Sequence, residues 1–252
     1  MANGVSYSEV FSECRSRDNF NEIFMATISN KWSNKLNLSS VKSCLTVGPG
    51  DGIYEIAFIK QCVANTSKFI AVEPDHESAE RLRTHLAESL PSVGSQVIET
   101  KIESWKGLDD QVDLVLLMNL LYYVQPNERK ELYKKMHAQW LATGGRVVVV
   151  TSSRTKYPGN YCQVFVRLGK PLLAWEDIES ELLEAGFIEQ YADEIQGVRD
   201  LDIDGPKYLL LLLRYIVDRP VTLDEVRGAV EELFPGEKCV PLYYTLAVFE
   251  KA

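Results

Sequence analysis

Three glycines at alternate positions, Gly48, Gly50 and Gly52, follow a short apolar segment and precede a helical one. Glycine lacks a Cβ atom, so its backbone can adopt positive φ angles and can lie directly against a ligand. A strand, a glycine-rich turn and a helix open the nucleotide site of doubly wound α/β folds. The stretch from Cys44 to Phe58 therefore predicts a site for a nucleotide-like ligand at the end of a first strand.

Acidic residues end the next two apolar segments. Glu73 follows the glycine turn by about 20 residues, a spacing that places a carboxylate at the tip of a second strand, and Pro74 breaks that strand. A carboxylate in this position can accept hydrogen bonds from both hydroxyls of a ribose. Ile102, Glu103 and Ser104 end a third strand, where a carboxylate or hydroxyl could accept a hydrogen bond from the exocyclic amine of adenine.

The spacing of the glycines distinguishes between nucleotide-type ligands. A dinucleotide site requires G-x-G-x-x-G/A, whereas here Gly52 comes two residues after Gly50 and the next position is Ile53. Asp51 and Glu55 place negative charge where a pyrophosphate would lie, and the Gly-Lys-Ser/Thr of a P-loop is missing. S-adenosylmethionine fits this acidic turn better, because it has an adenosine, a sulfonium and an ammonium group but no phosphate.

The remaining segments supply the elements that must position these residues. Helical and strand patterns alternate without internal repeats up to a fifth strand, RVVVVTSS, which predicts a mostly parallel sheet. The pair Gly144 and Gly145 predicts the end of the helix before this strand. We therefore predict one α/β domain over residues 1–252, doubly wound around a mostly parallel seven-stranded sheet, with inserted helices after the fifth strand.

The first 40 residues are rich in aromatic side chains at helical spacing, including Phe11 and Phe20. This pattern predicts one or two amphipathic helices that form a lid over a small-molecule site, with residues 41–252 as the core. The alternative interpretation is that these side chains only cap the hydrophobic core.

Composition and charge limit the classes of partner. The net charge of -9, from 27 basic and 36 acidic residues, argues against nucleic acid, because phosphate contacts need clustered basic side chains. The five cysteines are scattered, which indicates reduced thiols and neither a disulfide framework nor a metal site. The N-terminus lacks a signal pattern, and the longest apolar run is too short to span a bilayer. These features predict a cytoplasmic protein, and we expect a monomer.

Several motifs together resemble the class I S-adenosylmethionine-dependent methyltransferases: VGPGDG, the strand end VEP at Glu73, and MNLLYYV. More narrowly, nearly the whole chain is similar to the histamine N-methyltransferase family, in particular through LLYYV, the IDG at Ile203 to Gly205, and the final TLAVFE. The resemblance implies S-adenosylmethionine as the cofactor and a small-molecule substrate, with N-methylation of an amine or an imidazole-type compound.

The resemblance also implies which residues hold the cofactor. Gly48 would contact its methionine part, Glu73 its ribose and Ser78 its adenosine side, while Glu103 and Met118 would line the same site. With the rest of the glycine turn, the predicted cofactor-binding set is Gly48, Gly50, Gly52, Glu73, Ser78, Glu103 and Met118.

On the acceptor side, the resemblance places Asn119 against the substrate and matches the acidic residue of the N-terminal segment to Asp18. The sequence departs from the family at two amides: Asn119 replaces a longer Gln, and Tyr243 or Tyr244 replaces the second amide. Asp18, Asn119 and Tyr244 are the candidates for positioning an amine and removing its proton. Aromatic side chains would exclude water and could favour a cationic substrate: Phe11, Phe20, Tyr123, Tyr161 and Phe165.

Other functions stay open at this point. The first is methyl transfer to oxygen, sulfur or carbon of a different small molecule. The second is a non-catalytic binding protein on the same scaffold. A nicotinamide-dependent dehydrogenase is disfavoured by the glycine spacing.

Overall fold

A computed structural model describes residue 16 and residues 19–153, 159–169, 173–200 and 220–252. These residues form one seven-stranded sheet with helices packed on both of its faces. The strands are β1 Ser43–Val47, β2 Lys68–Val72, β3 Gly94–Ile98, β4 Val112–Met118, β5 Leu141–Ser152, β6 Phe187–Asp200 and β7 Cys239–Lys251.

The order of the strands confirms the predicted fold class. They lie in the order β3-β2-β1-β4-β5-β7-β6, and β1 to β5 run parallel to one another. Only β7 runs antiparallel, to both β5 and β6. The direction of winding reverses between β1 and β4, and a crevice opens at the carboxyl ends of these two strands, where open α/β sheets bind their ligands.

The central strands are apolar throughout because both faces of the sheet are covered. In β4, Leu114, Leu116 and Met118 contact one core cluster, while Val115 and Leu117 contact the other. Since successive side chains of a strand point to opposite faces, one strand contributes to both cores.

Five of the described helices pack on the first face of the sheet, namely α1 Phe20–Thr27, α2 Ile53–Cys62, α3 His76–Ser89, α5 Gln163–Arg167 and α7 Leu223–Leu233. The opposite face is covered by α4 Pro126–Lys135 and α6 Trp175–Glu184. α1 continues through a π-helical turn, Ile28–Trp32, into a last turn, Ser33–Lys35.

The described part of the N-terminal segment packs against the sheet. Phe20, Phe24 and Trp32 are buried, as their helical spacing predicts. The indole Nε1 of Trp32 donates a hydrogen bond to Asp193 of β6, at 2.9 Å, and Lys31 donates to the same carboxylate. This segment therefore contributes to the core, and its action as a lid stays a prediction.

The predicted role of Gly144 and Gly145 as a helix stop is wrong. The helix before β5 ends in a π-helical turn at Trp140, and both glycines lie within β5. The pairing of β4 with β5 shifts register between Val112 and Leu114, opposite these glycines. The glycine pair therefore lies at an irregularity in the pairing of β5 and does not end the preceding helix.

Gly52 is the residue of the glycine turn whose replacement we expect to be most destabilising. Its φ is +76°, and a Cβ atom there would lie 2.2 Å from Cδ1 of Leu82. The Gly52→Ala variant is expected to lose about 2–4 kcal/mol of unfolding free energy, from left-handed strain and from the clash. Urea unfolding measures this loss.

Gly144→Ala is the matched control. Its φ is +71°, but a Cβ atom there would have nothing within 4 Å. This variant is expected to lose only the strain, about 1 kcal/mol. Equal losses in the two variants would show that the contact with Leu82 has no energetic role.

Among the residues that the structure describes, none of the helices has both the length and the apolar character needed to cross a bilayer.

Candidate functional site

The glycine turn joins β1 to α2 and forms one wall of the crevice. All three of its glycines have positive φ: +59° at Gly48, +61° at Gly50 and +76° at Gly52. Gly48 donates its N–H to the carbonyl of Val72 on β2, at 2.8 Å, which ties the turn to the neighbouring strand. The backbone thus takes the conformation for which the glycines were predicted.

Glu73 follows β2 directly and anchors the turn. Its two carboxylate oxygens accept backbone N–H groups from Gly50, at 2.8 Å, and from Asp75, at 2.9 Å. The side chain is buried, and this burial raises the pKa of the carboxyl group, although the two backbone hydrogen bonds act in the opposite direction. Asp75 in turn caps α3 by accepting the N–H of Ser78.

A cavity of about 520 Å³ lies over the ends of β1, β2 and β4. Its volume is in the range of small-molecule and cofactor sites. Seven residues predicted to bind the cofactor or the acceptor line this cavity: Gly48, Gly50, Glu73, Ser78, Met118, Asn119 and Tyr123.

A second cavity, of about 420 Å³, continues the first toward β3, and Leu120 and Tyr123 line both. We call the two together the cofactor cleft. Glu103 lines this second part, but its predicted place at the tip of the third strand is wrong: β3 ends at Ile98, and Ile102–Ser104 form a separate 3₁₀ turn. Gly52 lines neither part; it shapes the turn from behind, against Leu82.

Asn119 has an unusual backbone and an unusual side chain. Its φ is +53°, a left-handed conformation that Asn tolerates better than most residues, and its N–H donates to Val150 of β5 at 2.8 Å. The Oδ1 atom is buried and accepts no hydrogen bond from the described residues. Buried polar atoms are normally hydrogen-bonded, so this unpaired acceptor on a residue that lines the cleft is a candidate to bind a donor group of a ligand if the amide turns toward the cavity.

Of the predicted aromatic side chains, Tyr123 lines the cleft, and Phe20 is connected to the cleft through Tyr54. Tyr54 lines the cleft, and its ring centroid is 5.5 Å from that of Phe20. Phe20 stacks on Tyr244 of β7, with 4.2 Å between the ring centroids. Phe20 and Tyr244 therefore form a layer behind Tyr54. Phe11 and Asp18 lie outside the described residues.

Tyr161 and Phe165 pack edge to face, with 6.1 Å between their centroids, and Tyr161 is buried. The guanidinium of Arg199 lies 4.5 Å from the centre of the Tyr161 ring. One face of this ring is therefore already occupied by a cation of the protein. Neither Tyr161 nor Phe165 lines the cleft, so their contact with a substrate stays a prediction.

The charges of the cleft fit a ligand that is positively charged and lacks phosphate. Four carboxyl groups line the first cavity, against the two basic side chains of Arg81 and Lys101. The excess of carboxylates disfavours a pyrophosphate, whereas a sulfonium and an ammonium group are attracted to it. Asp51, Glu55, Glu73 and Asp75 supply the negative charge.

Within the described ranges, one group of side chains has the geometry to bind a metal ion, namely His76, Glu80 and Glu99. All three side chains are exposed, and Arg83 donates hydrogen bonds to both carboxylates. The guanidinium of Arg83 therefore already offsets part of the negative charge that would attract a metal ion. The prediction of no metal site concerns the whole chain and stays a prediction.

The lining of the cleft also includes residues that sequence reasoning missed, among them Tyr54, Arg81, Lys101 and Leu120. Tyr54 follows the glycine turn by two residues and lies in the first turn of the helix that begins at the cleft. This position in the sequence could have indicated that its side chain lines the cleft. Arg81 and Lys101 carry no such signal, because their place depends on how α3 and the segment after β3 pack.

The comparisons with known proteins agree with this geometry. Residues 44–145 match the family model described as a methyltransferase domain. A search of curated proteins finds no match. A Bacillus halodurans protein to which methyltransferase activity is attributed has a similar structure, with a TM-score of 0.63 at 14% identity over 90% of this chain and 98% of that one.

Two further structures show the range of the fold. The N-methyltransferase NodS from Bradyrhizobium japonicum, in complex with S-adenosyl-L-homocysteine, has a TM-score of 0.52 at 14% identity, over 92% of this chain and 98% of that one. The [4+2]-cyclase SpnF has a TM-score of 0.57 at 14% identity, over 92% of this chain and 80% of that one. At such identities, likeness establishes the fold alone.

The fold is that of the class I methyltransferases, and residues 44–145 match the model of a methyltransferase domain. The cofactor of the matched methyltransferase family is S-adenosylmethionine, and the acidic cleft at the ends of β1 and β2 has the charge and the volume to hold it.

Proposed function

We propose that the protein transfers the methyl group of S-adenosylmethionine to a nitrogen atom of a small amine or imidazole-type molecule, as in the histamine N-methyltransferases that the sequence resembles. The observation that carries this proposal is the buried Oδ1 of Asn119, an acceptor without a donor among the described residues at the wall of the cleft. An amine or an imidazole N–H is a donor that this atom can hold.

The cofactor supplies an activated methyl group on its sulfonium, so the protein mainly has to bring the nucleophile into line. In this proposal Glu73 binds the ribose hydroxyls, and the glycine turn lies along the methionine part. Asn119 accepts an N–H of the acceptor amine and thereby directs the nitrogen lone pair toward the methyl group. Asp18 and Tyr244 are further candidates for orienting the amine or removing its proton.

The aromatic side chains next to the cleft would exclude water and enclose the acceptor. Tyr123 lines the cleft itself, and Phe20, packed on Tyr54, backs it. In this proposal Tyr161 and Phe165 complete the wall. The N-terminal segment, including Phe11, would close over this acceptor site, consistent with a lid formed by residues 1–40 of a single domain.

The test is methyl transfer by the full chain from labelled S-adenosylmethionine to panels of amines, imidazoles, phenols and thiols. We expect label on nitrogen of at least one amine or imidazole, identified by mass spectrometry. Label on phenols or thiols alone would overturn N-methylation in favour of transfer to oxygen or sulfur. Cofactor binding without transfer to any acceptor would favour a non-catalytic role, or a reaction other than methyl transfer.

A further inference from the structure

A buried ion pair lies directly behind one wall of the cofactor cleft. Arg129 of α4 is 6% exposed, and its guanidinium bonds both carboxylate oxygens of Glu181 on α6, with Nε–Oε2 at 2.9 Å and Nη2–Oε1 at 2.7 Å. The third guanidinium nitrogen, Nη1, donates to the carbonyl oxygen of Val124 at 2.8 Å. One planar group on α4 thus makes three hydrogen bonds to two partners, the carboxylate of Glu181 on α6 and the carbonyl of Val124.

Stability alone is a weak reason for such a pair. Removing two charges from water is costly, and a buried ion pair is often no more stabilising than apolar side chains of the same volume. The role of Arg129 is therefore better inferred from its third hydrogen bond, to Val124, than from the ion pair with Glu181. It is made to a backbone carbonyl that ends a functional turn.

That turn is the one-turn 3₁₀ helix Leu121–Tyr123. The two residues at its edges, Leu120 and Tyr123, line both parts of the cofactor cleft. Leu120 also limits the width of the cleft, because a Cβ atom on Gly48 would lie 2.5 Å from its Cδ1 atom. The position of this turn therefore sets the shape of the cleft on the side of β4.

The turn is held at its two ends. At its start, Asn119 donates its N–H to Val150 of β5 at 2.8 Å. At its end, the carbonyl of Val124 is held by Arg129, which Glu181 orients in turn. Without the guanidinium, nothing else among the described contacts holds this carbonyl.

We propose that Arg129 and Glu181 are positioning residues for the cofactor: they hold the turn Leu121–Tyr123, and with it the Leu120–Tyr123 wall, in the shape that binds S-adenosylmethionine. They act through the Val124 carbonyl and do not touch the cofactor. This inference rests on the cofactor site of the proposed function. It does not depend on the identity of the methyl acceptor.

The test is the affinity of the full chain for S-adenosylhomocysteine, measured by calorimetry on Arg129→Lys. Lysine keeps the charge but cannot bond the carboxylate twice and the carbonyl at the same time. We expect affinity to fall about 10-fold, as when one hydrogen bond to a charged group is lost. Turnover at saturating cofactor is expected to fall less, by about 3-fold, because saturation compensates for the weaker cofactor binding and leaves only the effect of Tyr123 on the acceptor side.

Arg146→Lys is the matched control. Arg146 of β5 also combines a carboxylate, Glu250 at 3.2 Å, with a backbone carbonyl, Asn37 at 2.9 Å, but it lies near the amino end of the sheet. Its loss is expected to lower the melting temperature and to leave cofactor affinity unchanged. Equal affinities in the two lysine variants, with both proteins folded, would overturn the proposal.

Glu181→Gln covers the case in which Arg129→Lys does not fold. The glutamine keeps one acceptor for the guanidinium and leaves the bond to Val124 possible but less well oriented. We expect a smaller fall in affinity, about 3-fold, in the same direction. Affinity equal to the native value in this variant would also contradict the proposal. The expected falls in affinity, together with no methyl transfer by the native chain to any acceptor, would contradict only the proposed function.

Discussion

Glu73→Gln is expected to weaken the binding of S-adenosylhomocysteine about 100-fold, because two hydrogen bonds to a charged carboxylate are lost or misdirected. Glu73 is buried and accepts N–H groups from Gly50 and Asp75. The amide of glutamine must turn one N–H toward one of these donors. The variant therefore loses the partner of the ribose hydroxyls and also the anchor of the glycine turn. Isothermal titration calorimetry measures the loss.

Glu99→Gln is the control for the change of charge. Glu99 also follows a strand of the same edge, but it is exposed, bonds His76 and Arg83, and does not line the cleft. Its replacement is expected to change cofactor affinity by less than about 2-fold, as for most surface substitutions. An affinity of Glu73→Gln within the same limits would contradict the ribose-binding role.

The same residue gives cofactor binding a dependence on pH. Burial raises the pKa of Glu73, so this group binds its proton at a higher pH in the folded protein than in the unfolded chain. Its contribution to the stability of the unliganded protein accordingly falls as pH rises through that raised pKa. Cofactor affinity shows the opposite sign, because ribose hydroxyls require the carboxylate as an acceptor. Affinity should be lost as pH falls through the raised pKa, and Glu73→Gln should lack this dependence.

Asn119→Gly is expected to reduce turnover about 100-fold while the affinity for S-adenosylhomocysteine stays within about 3-fold, because the amide orients the acceptor and not the cofactor. Glycine adopts the observed φ of +53° without strain, so the backbone and its hydrogen bond to Val150 are kept. Steady-state kinetics with the best acceptor from the panel gives kcat and KM, and calorimetry gives the affinity.

Asn119→Asp separates the two functions of the amide. Aspartate has the same shape and tolerates the left-handed backbone, and it keeps an acceptor oxygen while removing the NH₂ donor. It should retain more turnover than the glycine variant if the Oδ1 atom holds an N–H of the acceptor. Full turnover by Asn119→Gly would show that this amide has no part in the reaction.

The cofactor half of the site could be predicted because its determinants are local. Gly48, Gly50 and Gly52 follow one strand directly, and Glu73 ends the next, so the parallel pairing of β1 with β2 is enough to bring them together. The fold class could be predicted for a related reason, since alternating strand and helix patterns leave few topologies.

The rest depends on contacts between distant segments. Arg129 and Glu181 are 52 residues apart and meet only because α4 and α6 share one face of the sheet. The contact of the Arg199 guanidinium with the Tyr161 ring depends on the long pairing of β6 with β7, which places Arg199 opposite Val240. Neither contact could be predicted from the sequence, because no regular spacing connects the two residues of either pair.

The most direct test of the account is a crystal structure of the full chain with S-adenosylhomocysteine. We expect the ribose hydroxyls on the carboxylate of Glu73, the adenine toward Glu103, and the sulfur atom facing Asn119 across an acceptor space bordered by Tyr123. A cleft that stays empty at saturating ligand, or a ligand whose sulfur faces away from Asn119, would contradict the proposed methyl transfer at this site.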